Sequence, residues 1–253
     1  STSQLPHYEG TVDMVASGAA YVKVEELESD IYVNQRNVNY ALEGDRVEVV
    51  LQRQALRAGD NPEGAITKVL ERSNKQYVGV AEVSRAAIFV RPDARKLPMD
   101  VFFARKDYPQ VKDGDKVVFR VTEWHEGLRS PRGVIVDVLG QTGDNDAEMH
   151  AILAEYDLPY RFEQEIEDAA LAIDGRITER DYAERRDFRD IVTFTIDPAD
   201  AKDFDDALSI RKVEDGVWEV GVHIADVTHY IRPDDVLDCE ARDRGTSVYL
   251  VDR

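Results

Sequence analysis

The sequence predicts a β-rich α+β chain: two small β-barrels in tandem, a helical connector, and the first part of a mixed α/β region. Three observations lead there. The first half repeats itself at a displacement of 69 or 70 residues. Each copy holds about five short β-rich runs separated by Gly/Asp turn signals, the pattern of a small closed barrel. After Gly140 helical periodicity takes over, and strand signals return from Asp187.

The first copy opens at Glu9-Gly10-Thr11-Val12. It runs through Ala19-Ala20-Tyr21-Val22, Asp30-Ile31-Tyr32-Val33 and Gly44-Asp45-Arg46-Val47, and closes at Gly64-Ala65-Ile66. The second opens at Val78-Gly79-Val80-Ala81. It runs through Ala86-Ala87-Ile88-Phe89-Val90, Asp100-Val101-Phe102-Phe103 and Gly114-Asp115-Lys116-Val117, and closes at Gly133-Val134-Ile135. The expected domains are 1–73 and 74–139. The order of elements in each resembles an OB-fold of the cold-shock type. In that family, aromatics on the second and third strands form an open platform for single-stranded bases. Tyr21 and Tyr32 hold those places in the first copy, Phe89 and Phe102 in the second. Tyr32 sits between Ile31 and Val33, so strand alternation turns it away from the buried pair. Stacking on such faces is worth roughly 1–3 kcal/mol per base and tolerates any base sequence. The alternative is that these aromatics merely cover the barrel surface.

Residues 140–190 read as a helical linker. Gly140 to Asp146 is a polar Gly/Asp stretch. A helical pattern then begins at Ala147 and ends near Leu158-Pro159. A second is expected over Glu163–Ile173, closed by Asp174-Gly175, and a third over Thr178–Arg186 with Thr178 as N-cap. Residues 191–253 form the last expected region, where strand signals dominate again. Ile191–Ile196 is an apolar strand. Ala207–Lys212 and Val217–Ile224 alternate and flank Glu214-Asp215-Gly216, a hairpin signal. Asp234 or Asp235 caps a helix to about Arg244, with Gly245 as its stop. Thr246–Val251 reads as another strand.

Between the first of these strands and the hairpin lies T-I-D-P-A-D-A-K-D-F-D-D-A-L, from Thr195 to Leu208. It places Asp197, Asp203, Asp205 and Asp206 within ten residues. Such anions repel one another, and a cation or an unusual proton arrangement offsets that cost. Hard divalent cations take carboxylates, waters and substrate phosphates as ligands. The cluster therefore points to a Mg²⁺ site that handles phosphoryl groups. A solvated acidic turn is the bland alternative. An EF-hand loop is disfavoured, because Pro198, Ala199, Ala201 and Lys202 stand where its pattern wants acids and glycine. His223 in its apolar strand reads as a hydrogen-bonded core histidine rather than a ligand. His229 is not singled out either.

Composition bounds the rest. The chain has 253 residues, 43% of them hydrophobic, and no apolar run near the ~20 residues of a membrane span. The N-terminus lacks an initiator Met and a leader pattern, and is expected to be a cut boundary. One cysteine, Cys239, allows no internal disulfide and suits a reducing cytoplasm; flanked by Asp238 and Glu240, it is expected to pack rather than react. The net charge of −19 is uneven: residues 1–139 balance at −2 and residues 140–253 at −17. The near-neutral first half leaves room for local basic faces.

Thr195–Ala207, Trp218–Ile231 (W-E-V-G-V-H-I-A-D-V-T-H-Y-I) and Arg242–Leu250 (R-D-R-G-T-S-V-Y-L) resemble, in order, three blocks of the ribonuclease II / ribonuclease R exoribonuclease family. The A-K-D-F-D-D-A form is similar to that of its ribonuclease R branch. The resemblance implies an RNB catalytic core and processive, Mg²⁺-dependent hydrolysis of RNA from the 3′ end to nucleoside 5′-monophosphates. It implies that Asp197, Asp203, Asp205 and Asp206 hold one or two ions, since two metals about 3.5–4 Å apart serve both attacking and leaving oxygens. Asp197 and Asp206 are the expected direct ligands. Asp205 is expected to position the water or a second ion, with Asp203 sharing the catalytic role. Tyr249 matches an aromatic that stacks near the scissile end, against the alternative of an ordinary strand tyrosine. The family core runs on past the position of Arg253, so this chain is expected to be an N-terminal piece with little or no activity alone. Two competing readings are a non-catalytic RNA-binding module built on the tandem barrels and, more remotely, a phosphatase with an Asp nucleophile.

Overall fold

The computed structural model describes residues 5–54 and 60–250. It falls into two compact units, one up to Tyr160 and one from Arg161 onward.

The first unit holds two closed barrels. In the first, β1 (His7–Met14), β2 (Ala20–Lys23), β3 (Ile31–Val33), β4 (Arg46–Arg53) and β5 (Glu63–Glu71) close in the order β1-β2-β3-β5-β4. In the second, β6 (Tyr77–Val83), β7 (Ala87–Pro92), β8 (Val101–Ala104), β9 (Asp115–Glu123) and β10 (Arg132–Gln141) close in the matching cyclic order. All pairings are antiparallel except β3 with β5 and β8 with β10, which are parallel. The duplication extends to single hydrogen bonds. Met14 N–H donates to Glu43 and Val83 N–H to Asp113. Gly44 N–H donates to the Val12 carbonyl and Gly114 N–H to that of Ala81, each at 2.8 Å. Both glycines have φ near +80°, a conformation that a side chain would strain.

Alternation drives closure. Along β3 Ile31 and Val33 are fully buried while Tyr32 faces outward, and along β7 Ile88 and Val90 are buried while Phe89 is exposed. Val12, Val22, Ile31, Val47 and Val49 fill the first barrel. The second has a more aromatic core, in which Phe103 meets Phe119 edge-on at 5.7 Å and Phe119 stacks on Tyr77. On β9 alternation gives way: Lys116, Val117, Val118 and Phe119 are all buried. The reason is α1 (Asn145–Glu155), whose Ala147, Ala151 and Ala154 lie on Val78, Val118 and Leu139 and cover the outside of that strand. Lys116 ties the helix down through Asp93 at 2.9 Å and Glu148 at 3.2 Å.

The second unit contains α2 (Gln164–Leu171), α3 (Glu179–Glu184), the sheet β11 (Thr193–Phe194), β12 (Asp206–Glu214) and β13 (Val217–Ile224), and α4 (Val236–Arg244). Asp181 accepts from the Thr178 N–H at 2.6 Å and opens α3. Gly216 at φ 75° turns the hairpin. Asp235 caps α4 by accepting from Asp238 N–H at 2.8 Å, and Gly245 at φ 70° ends it. No described helix is long and apolar enough to cross a membrane.

Several boundaries differ from the sequence reading. The stretch Gly140–Asp146 is not a free linker: β10 runs to Gln141 and α1 starts at Asn145, because α1 docks directly on the barrel. The first two helices stop short of their expected ends, at Glu155 and Leu171, and the third ends at Glu184 with Arg185 already extended. Of Ile191–Ile196 only Thr193 and Phe194 form a strand, since β11 meets β12 only at Ser209 and Leu208. Thr246–Leu250 is not a strand, and Val251 lies outside the described residues. A strand needs a neighbour to take its backbone groups, and among the described residues no strand pairs with this segment.

Candidate functional site

The acidic segment links β11 to β12. Asp197 follows β11, is half-buried, and has a carboxylate oxygen, Oδ2, that is shut away from solvent without a hydrogen-bond partner. Pro198 and Ala201 then make a turn, with Ala201 N–H donating to the Pro198 carbonyl at 3.0 Å. Asp203, Asp205 and Asp206 are exposed. The Asp203 carboxylate accepts from the Tyr249 hydroxyl at 2.6 Å. That bond favours the protonated phenol and raises the Tyr249 pKa above its ordinary value. The Asp205 carbonyl accepts from Ala225 N–H at 2.8 Å, and Asp206 begins β12 opposite Ile224. The hairpin thus fixes the backbone of two acids, and Tyr249 holds the side chain of a third.

The donor set is all carboxylate oxygen, the chemistry a hard cation takes, and the orphaned Asp197 oxygen suits one. The side chains do not converge, however. Among the described residues no three His, Cys, Asp or Glu side chains form a group that could hold a metal ion. Asp203 is turned to Tyr249.

The sheet beneath this loop has two unlike faces. On one, Ser209 is buried, its hydroxyl lies 2.8 Å from His223 Nε2, and Phe188 packs edge-on to the His223 ring at 4.6 Å. His223 is therefore engaged within the strand pair. On the other face Phe194, Leu208, Ile210, Val220, Val222 and Ile224 line up by register with Asp206, and all but Leu208 of these apolar residues are exposed. His229 faces Asp181 at 3.4 Å, and Arg185 bridges it to Asp226.

The barrel aromatics form two equivalent pairs. Tyr21 lies directly opposite Tyr32, with ring centroids 5.5 Å apart. Phe89 lies opposite Phe102 at 5.7 Å. Sequence reasoning did not single out the charged residues next to them. Arg132 is the parallel-strand partner of Phe102, its guanidinium 6.0 Å from the ring centroid, the outer limit for a cation–π contact. Glu63 is the partner of Tyr32. The signal was present in the repeat, since Pro62-Glu63-Gly64 maps onto Pro131-Arg132-Gly133 at a displacement of 69.

Two OB-type barrels ahead of a sheet whose first connection carries an aspartate cluster define the RNB class of multidomain protein. Family models match in the same order: a ribonuclease B OB domain over residues 10–69, a cold shock domain over 89–163, and an RNB domain over 185–253. Ribonuclease R of Thermotoga maritima is 37% identical over 246 residues, 96% of this chain and 34% of that protein. Ribonuclease R of Escherichia coli is 32% identical over 242 residues, 96% of this chain and 30% of that protein. The structure of Mycoplasma genitalium RNase R in complex with ribose-methylated single-stranded RNA matches with a TM-score of 0.74 at 22% identity, covering 96% of this chain and 38% of that one. The chain belongs to the ribonuclease II / ribonuclease R (RNB) family, and it spans about a third of the length of these relatives.

Proposed function

We propose that this chain is the RNA-engaging and acid-bearing part of a Mg²⁺-dependent exoribonuclease that shortens RNA processively from its 3′ end. In the reaction, a water oxygen bonds to the terminal phosphorus and the bond from phosphorus to the 3′-oxygen breaks. The 3′-oxygen takes up a proton, and a nucleoside 5′-monophosphate leaves. One or two Mg²⁺ ions would supply charge neutralisation at the phosphoryl oxygens. Asp197 and Asp206 would hold them, with Asp203 alongside. Asp205, exposed at the mouth of the hairpin and anchored through its carbonyl, would orient the attacking water and accept its proton. Tyr249 would stack on the terminal base while its hydroxyl keeps Asp203 oriented. Aromatics on the face of a barrel would hold the single strand upstream. The single cysteine, exposed and free, suits a cytoplasmic protein.

The observation that carries this reading is the aspartate loop set within a region matched by the RNB domain. The test is turnover by the complete polypeptide that carries this chain, on a uniformly labelled single-stranded RNA with Mg²⁺. Release of 5′-mononucleotides, lost in Asp205→Asn while RNA binding is kept, supports it. Unchanged turnover in Asp205→Asn overturns it. A second reading, a non-catalytic RNA-binding module, is favoured by the lack of a convergent acid group among the described residues. Under that reading neither form releases mononucleotides, and titration calorimetry finds no Mg²⁺ binding that depends on Asp197 or Asp206.

A further inference from the structure

The two barrels carry the same row of four residues across their outer faces, with one end reversed in charge. In the first barrel Asp13 lies opposite Tyr21, Tyr21 opposite Tyr32, and Tyr32 opposite Glu63. In the second, Glu82 lies opposite Phe89, Phe89 opposite Phe102, and Phe102 opposite Arg132. The frame is common to both. Tyr32 N–H donates to the Pro62 carbonyl and Phe102 N–H to that of Pro131, each at 2.8 Å. A lysine or arginine braces the acidic end in each, Lys23 to Asp13 and Arg91 to Glu82, both at 3.4 Å. One strand further on, the charges are transposed: Glu63 pairs in register with Arg53, Arg132 with Glu123. An acid therefore stands next to the tyrosines, and a guanidinium stands next to the phenylalanines.

This transposition matters for a polyanion. A base stacked on Phe102 brings its phosphate alongside, where Arg132 can donate to it. Arg132 holds Glu123 only at 3.7 Å, with both side chains more than half exposed, so little is lost when it turns to a new anion. At the equivalent place in the first barrel Glu63, joined by Asp60 along the same depression, presents carboxylate to the phosphate. Arg53 also lines that depression, but it stands across Glu63 from Tyr32.

We propose that the duplicated barrels have divided their labour: Phe89, Phe102 and Arg132 of the second form the stacking platform for single-stranded RNA, and the Glu63-closed tyrosine row of the first does not. The assignment rests on the reading that this chain engages RNA. It names which of two equivalent surfaces does so.

The test is fluorescence anisotropy of the purified chain with a labelled 12-nucleotide oligouridylate in EDTA, over a range of salt concentrations. Arg132→Glu is expected to weaken binding at least fivefold and to flatten its salt dependence. Phe102→Ala should weaken it by five- to tenfold, Tyr32→Ala by less than twofold, and Glu63→Arg should tighten it severalfold. All four side chains lie on the outer face, and circular dichroism melts verify that each variant keeps its fold. As a second measurement, 4-thiouridine in the oligonucleotide should crosslink to β7 and β8 and not to β2 and β3. Binding that is unchanged in Arg132→Glu and Phe102→Ala, or is lost in Tyr32→Ala, sinks the division of labour alone. No binding by the unaltered chain sinks the RNA reading and this assignment together.

Discussion

Asp45 and Asp115 occupy the same place in the two barrels and hold different partners. Each accepts from a backbone N–H three residues earlier, Leu42 or Lys112, at 2.7 Å. Asp45, with no solvent exposure, also accepts from Ser73 N–H and from the Arg72 guanidinium. Arg72 then continues across to the Trp124 carbonyl at 3.1 Å, while the Trp124 ring meets Tyr40 edge-on at 5.1 Å. In the second copy Gln141 takes the place of Arg72 and satisfies Asp115 locally. One copy of a repeated turn has thus become the link that ties the two barrels together.

The expected consequence is asymmetric. Asp45→Ala leaves the half-buried Arg72 guanidinium without its fully buried partner and should cost about 3–5 kcal/mol. Asp115→Ala removes bonds from two uncharged donors, the Lys112 N–H and the Gln141 amide, and should cost about 1–3 kcal/mol. Urea unfolding, followed by Trp124 fluorescence for the barrel junction and by far-ultraviolet circular dichroism for the strands, measures both. Equal costs, or coincident transitions in Arg72→Ala, would contradict the link.

A second prediction concerns acid. Glu148 receives the Gly143 N–H and the Lys116 ammonium, which hold its carboxyl below the ordinary glutamate value of 4.5 despite some burial. A carboxyl whose folded-state pKa is depressed adds stability above the unfolded value, and that increment is lost as pH falls through the folded value. The docking of α1 on the second barrel should therefore weaken below about pH 4.5. With the pair partly exposed, the change is worth about 0.2–1 kcal/mol. Thermal melts from pH 6 to pH 3 should show a shallower acid loss in Glu148→Gln than in the unaltered chain.

Much of this architecture was legible because it is written in local chemistry. The Gly44-Asp45 and Gly114-Asp115 turns and the Gly245 stop act over three or four residues and sit where the sequence placed them, and of the two caps it offered the structure uses Asp235. Nonlocal pairing was less legible. That Glu63 stands beside Tyr32 follows from the parallel register of β3 and β5, which no periodicity reports. Burial of β9 on both faces required α1 to be docked. Proximity of the four aspartates along the chain likewise did not fix their convergence, since consecutive side chains of an extended backbone turn to opposite sides.

Tyr249 offers a direct probe of the acidic loop. Its hydroxyl bond to Asp203 raises the phenol above its ordinary value of 10.0. Carbon-13 NMR titration of labelled tyrosines should find Tyr249 titrating above that value, and Asp203→Asn should bring it back down. An unshifted Tyr249 would mean that the segment after α4 does not close on the aspartate loop.

The last prediction addresses the uncovered sheet. Val222 is 69% exposed, among apolar neighbours on the face that carries Asp206, whereas Val118 is fully buried beneath α1. A charge placed at Val118 must be desolvated against the alanine face of that helix, so Val118→Asp should cost about 4 kcal/mol or more. A charge at Val222 keeps its water. Val222→Asp should therefore change stability by no more than about 0.5 kcal/mol and raise solubility, because it interrupts an exposed apolar surface. Chemical denaturation of both variants with static light scattering decides the matter. A large loss of stability in Val222→Asp would mean that this face is buried against another surface in solution, and Asp206 at its edge would then sit in a far less watery setting than the isolated sheet provides.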